Sequence, residues 1–76
     1  MMLLTALAPG QRAVVTALEG GHGMRRRLAS MGLTVGSEVE SLISRGSGPI
    51  VVAVRQTRLA LGRGVANRVL VEPVEV

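Results

Sequence analysis

The sequence predicts a mainly β protein, a small barrel of five short strands with one short helix at about residues 22–31. Three observations carry this. Residues 37–44 and 50–55 alternate in the period-two manner of half-buried strands. Clusters of turn-forming residues recur at close intervals, at Pro9-Gly10, Gly20-Gly21, Arg45-Gly46-Ser47-Gly48-Pro49 and Gly62-Arg63-Gly64. Between the first two strands lies Arg27-Leu28-Ala29-Ser30-Met31-Gly32-Leu33-Thr34-Val35-Gly36, which reads as a helix end, a glycine stop and a turn into a strand.

Residues 11–18 are rich in β-branched types between two turn signals, and predict the first strand. The helix follows. At about 100° per residue, Met24, Leu28 and Met31 form a narrow apolar stripe, Arg25 and Arg27 flank it, and Arg26 points away. Gly32 stands where a helix needs positive φ to stop, and Gly36 where the next turn does. In 37–44, Val39, Ser41 and Ile43 are expected on one face and Glu38, Glu40 and Leu42 on the other. Residues 45–49 make a hairpin turn. Residues 50–55 set Ile50, Val52 and Val54 against Val51, Ala53 and Arg55. Gln56-Thr57-Arg58 is expected as a tight turn, 59–61 as a short strand, 65–68 as a helical turn, and 69–72 as the last strand, closed by Pro73. An open sheet this small would leave its edges unprotected, so the strands are expected to curl into an SH3-like barrel forming one domain over 1–76.

Seventy-six residues lie near the lower limit for a self-supporting core, and no cysteine is present to staple it. There is also no aromatic residue, so twelve Val, ten Leu, two Ile and four Met must build the interior. The basic excess comes from nine arginines, with neither lysine nor aspartate, for a formal charge of +4. That balance suits an acidic partner or a nucleic acid, and equally a solvated surface. No apolar run approaches a membrane span, and residues 1–8 lack the basic residues that precede a signal-peptide core. A cytosolic protein is expected.

Catalytic constellations are absent from the sequence, and no enzyme is predicted. Glu38 and Glu40 lie about 7 Å apart on one strand face, where exposed glutamates ordinarily solubilise a sheet. His22 is the sole imidazole and a weak metal candidate; a selective transition-metal site wants several converging ligands, which one histidine could supply only between chains. Gly20-Gly21-His22-Gly23 lacks the lysine and hydroxyl of a phosphate loop. No cofactor is implied. Arg25, Arg26 and Arg27 form the densest basic patch, without the aromatic platforms on which single-stranded nucleic acids stack.

These residues together resemble the FeoA family of ferrous-iron transport proteins. Leu4-x-x-Leu7-x-x-Gly10 is similar to the family's opening, and Arg27-Leu28-x-x-Met31-Gly32-Leu33-x-x-Gly36 to its central signature. Gly48-Pro49-Ile50 is similar to its hairpin, and Leu59-Ala60-Leu61-Gly62 followed by Ala66 to its closing segment. The resemblance implies an SH3-like barrel and a cytosolic accessory to FeoB, the membrane ferrous-iron transporter with a cytosolic GTP-binding domain. It also implies kinship with the C-terminal domain of metal-dependent repressors of the diphtheria-toxin-repressor type, with no DNA-binding part expected ahead of it here.

The leading expectation is a protein-binding module that docks on the transporter's cytosolic region through Arg25, Arg26, Arg27, Leu33, Thr34 and Gly36. A metal-responsive regulatory domain and a small basic nucleic-acid-binding barrel are the competing readings.

Overall fold

The computed structural model describes residues 1–74; residues 75 and 76, the end of the expected 1–76 domain, lie outside the described residues. Six antiparallel strands run in the order β1-β6-β2-β3-β4-β5. They are β1 (Met2–Leu3), β2 (Arg12–Leu18), β3 (Glu38–Ile43), β4 (Ile50–Val54), β5 (Thr57–Leu61) and β6 (Val69–Pro73). Helix α1 (His22–Ser30) connects β2 to β3, and a single helical turn, α2 (Arg63–Ala66), connects β5 to β6. The five expected strands are present in an SH3-like sheet; the expected barrel is not closed by hydrogen bonds among the described residues, because β1 and β5 stand at opposite ends of the strand order and do not pair. The sixth is a two-residue edge strand against β6, with Met2 opposite Val71 and Leu3 opposite Leu70. It carries no pattern of its own; Leu4 and Leu7, fully buried just after it, anchor this segment to the core.

The interior is wholly aliphatic. Leu4, Leu28, Leu33, Ile50, Val15, Val39, Val52, Val69 and Val71 are its largest fully buried apolar side chains. Two irregularities decide which residues reach it. In β2, Val15 pairs with Val71 but Ala17 with Leu70, so Thr16 is an extra residue. Ala13 and Val15 point inward before this bulge and Leu18 after it, a change of parity that simple alternation cannot produce. The Thr16 hydroxyl donates to the Leu70 carbonyl at 3.2 Å. In β3, Ser41 pairs with Val52 and Ile43 with Val51, which makes Leu42 the bulged residue. Val39 and Ser41 are buried as expected, but Ile43 is turned out and 46% exposed. The expectation for Ile43 is thus corrected by one inserted residue.

The helix end follows its sequence closely. Gly32 (φ 89°) donates to the Ala29 carbonyl at 2.9 Å, and Leu33 donates to the Leu28 carbonyl at 2.9 Å. This is the Schellman arrangement, and the two leucines that accompany it are both buried. A four-residue turn comes next: Ser37 N–H donates to Thr34 C=O at 3.0 Å, with Gly36 at φ 97° as its third residue, as in a type II turn. Gly36 and Ser37 then bond Val15, N–H to carbonyl at 2.8 Å and carbonyl to N–H at 2.9 Å, which docks the turn on β2.

One turn is displaced from its expected place. The β4–β5 loop is Arg55-Gln56, because Val54 pairs with Thr57, and Thr57 and Arg58 already belong to β5. Arg55 adopts φ 58°, a conformation ordinarily left to Gly or Asn in two-residue hairpins, so the sequence carried no signal for it. Likewise the helical turn expected at 65–68 lies at Arg63–Ala66.

Leu28→Ala should destabilise the protein by about 2–5 kcal/mol in urea titration, the range for emptying a buried leucine site. Ser41 gives the opposite expectation. The residue is 1% exposed and its hydroxyl has no hydrogen-bond partner among the described residues. Ser41→Ala should therefore leave stability unchanged or raise it by about 1 kcal/mol, and a loss above that would reveal an unseen partner.

Candidate protein-binding surface

Two depressions stand out on the surface, and they divide the residues that the sequence assigns to a single contact. The first is a polar cleft of about 580 Å³ on the outer face of β2 and β3, reaching the β4–β5 hairpin. Thr34 and Gly36 line it together with Arg12, Glu38, Glu40 and Arg55. Arg12 and Glu38 form an ion pair across it at 3.7 Å, both side chains about half exposed, a geometry that contributes little to stability. The two glutamates thus share a face as expected, beside an arginine.

The second depression is a groove of about 180 Å³ where α1 faces the end of β5 and the start of α2. Met24, Arg27, Leu28 and Met31 form one wall, and Ala60, Leu61, Gly62 and Val65 the other. The helix wall is the apolar stripe read from the sequence. Leu28 is buried beneath it, Met24 is half-buried, and Met31 is 38% exposed. The opposite wall comes from residues 60–65, well beyond α1 in the chain. No local pattern could pair the two walls; the sequence marks 59–61 only as a short strand.

The three helix arginines have separate situations. Arg25 donates from Nη2 to the Leu18 carbonyl at 3.0 Å, tying α1 to the end of β2. Arg26 is exposed and Arg27 borders the groove. Among the described residues none of the three has a carboxylate within ion-pair distance; the ion pairs found are Arg12–Glu38 and the Met1 amino group with Glu72. A concentration of unneutralised cations beside an apolar groove suits an acidic, partly apolar ligand. Leu33, expected at the contact, is 0% exposed and serves the core, so it offers nothing to a partner.

His22 is exposed as the first residue of α1. Among the described residues, no three of the His, Cys, Asp or Glu type come together. A lone exposed imidazole is a poor match to the several converging ligands that a first-row transition metal wants, so His22 remains a weak candidate among the described residues.

The separate roles of Arg25 and Arg26 predict different costs. Arg26→Ala should change unfolding free energy by less than about 0.5 kcal/mol, as at an unencumbered surface position. Arg25→Ala removes the bond to Leu18 and should cost about 0.5–1.5 kcal/mol in the same denaturation experiment.

Comparison with known proteins places this architecture. The FeoA domain model matches residues 2–73. A protein of Methanocaldococcus jannaschii described as a putative Fe(2+) transport protein A is 33% identical over 66 residues, covering 87% of this chain and 79% of that one. The crystal structure of an iron uptake regulatory protein, FeoA, superimposes with a TM-score of 0.91 at 40% identity, covering 96% of this chain and 97% of that chain. Stenotrophomonas maltophilia FeoA complexed with zinc, described as a prokaryotic SH3 domain protein, gives 0.82 at 34% identity, covering 95% and 91%. A manganese-dependent transcriptional repressor gives 0.86 at 27% identity, with 95% of this chain matching 41% of the repressor. By the family model and by these relatives, the chain belongs to the FeoA domain family.

Proposed function

We propose that this protein is a small cytosolic accessory of ferrous-iron uptake, acting as a protein-binding module on the cytosolic region of the FeoB transporter. The observation that carries the reading is the juxtaposition on α1 of Arg26 and Arg27, without carboxylate partners among the described residues, with the apolar groove of Met24, Met31, Ala60 and Val65. Such a pairing suits a protein surface better than a small ion. An apolar floor supplies affinity, and a charged rim steers the encounter and fixes orientation. Membership of the FeoA family supports the iron-transport context. No helix among the described residues is long and apolar enough to cross a membrane, so in this proposal the transporter brings the chain to the membrane.

The test is association with the purified cytosolic region of the transporter, measured at low and physiological salt. The double reversal Arg26→Glu, Arg27→Glu should weaken binding at least about tenfold and flatten its salt dependence. Iron uptake in cells carrying the same variant should fall in parallel. Full binding and full uptake by the folded variant would remove α1 from the contact. Equally tight binding of the native chain to arbitrary DNA would point to a nucleic-acid partner instead.

A further inference from the structure

The sheet ends on β5, and the ladder of that strand is open on one side. Val54 and Thr57 close a two-residue hairpin, so they are a hydrogen-bonded pair. Counting along the ladder, Leu59 opposite Val52 and Leu61 opposite Ile50 are hydrogen-bonded pairs too. Arg58 and Ala60 are the alternate residues, and their N–H and C=O groups point away from β4. Neither residue has a backbone hydrogen bond on that side among the described residues. The apolar groove beside α1 begins here, since Ala60 is one of its walls.

From this geometry we infer that the β5 edge accepts an extended acidic segment of a partner protein as an added antiparallel or parallel strand, with one aliphatic side chain seated in the groove against α1. The inference rests on the protein-binding reading above and specifies its mode. Three features select the occupant. Open main-chain groups at alternate residues match an extended chain and nothing more compact. The groove, at about 180 Å³, is smaller than the ~300 Å³ at which small-molecule pockets begin, and suits a single side chain. Charge completes the choice: Arg58 is exposed on the edge strand, Arg27 lines the groove, and none of the described residues lining it is a carboxylate. A second copy of this chain would set arginine edge against arginine edge, the arrangement by which proteins discourage self-pairing. An acidic strand meets both arginines favourably. Ala60 contributes by being small, leaving the edge accessible between Arg58 and Gly62.

Ala60→Pro tests this directly. It deletes an N–H that faces away from β4, at an edge position where proline is tolerated, and so leaves the β4–β5 ladder whole. Two probes are used with the native chain and the variant: the purified cytosolic region of the transporter, and a synthetic peptide alternating glutamate with leucine. Amide hydrogen exchange is read residue by residue in the native chain, so the result does not depend on the variant folding. Binding should raise protection of the Arg58 and Ala60 amides at least about tenfold, and Ala60→Pro, if folded, should lose affinity by a similar factor. If the transporter region binds while these two amides stay unprotected, the edge is overturned and the functional reading survives. If the peptide protects them and the transporter region does not bind, the edge stands and the named partner falls. If neither probe protects them, the inference fails.

Discussion

When Leu33 donates its backbone N–H to the carbonyl of Leu28, it fixes more than the end of a helix. Nine residues are too few for α1 to persist in water unaided, so its existence depends on docking. The closure brings two fully buried leucines to the same place, one from each side of the chain reversal, and buries them in the core shared by all the longer strands. Leu28 faces inward, so Met24 and Met31, four residues before it and three after, border the same side of the helix. Gly32 turns the chain back, and the Ser37 hydroxyl donates to its carbonyl at 3.1 Å while accepting from Thr34 N–H at 3.0 Å. Helix, turn and the entry to β3 are thereby one hydrogen-bonded unit resting on β2. Both surface depressions are bordered by this unit.

That shared support explains why a continuous stretch of sequence does not form a continuous surface. Residues 25–27 and 33–36 are neighbours in the chain, but the reversal at Gly32 carries the second group toward β2 and the polar cleft. Leu33, between them, is consumed by the closure itself. The side chains that complete the groove belong to the β5–α2 corner, where a small residue (Ala60) and a glycine (Gly62) leave room at the surface.

The sequence made legible whatever depends on neighbours a few residues apart. The stripe on α1, the stop at Gly32, the turns at Pro9-Gly10 and Gly36, and the burial of Ile50, Val52 and Val54 all follow from local period or local φ demand. What escaped depends on a partner strand. The bulges at Thr16 and Leu42 exist only relative to β6 and β4, and they decide the burial of Leu18 and the exposure of Ile43. Strand β1 is two residues long and is defined by its pairing alone. Arg55 takes a left-handed conformation because Val54 and Thr57 pair across it, an instance of tertiary demand prevailing over residue preference. The candidate site divides in the same way: its helix wall could be read directly, and its opposite wall only once β5 had been placed.

An interior assembled from aliphatic side chains alone has an optical consequence. The chain has no tryptophan, tyrosine or phenylalanine, so it contributes no intrinsic fluorescence and essentially no side-chain absorption in the near ultraviolet. In a mixture with any partner, every such signal arises from the partner. Shifts in a partner's tryptophan emission on association would report changes around the partner's own residues, undiluted by this chain. The same silence means that its concentration must be followed by peptide-bond absorption or by an added label.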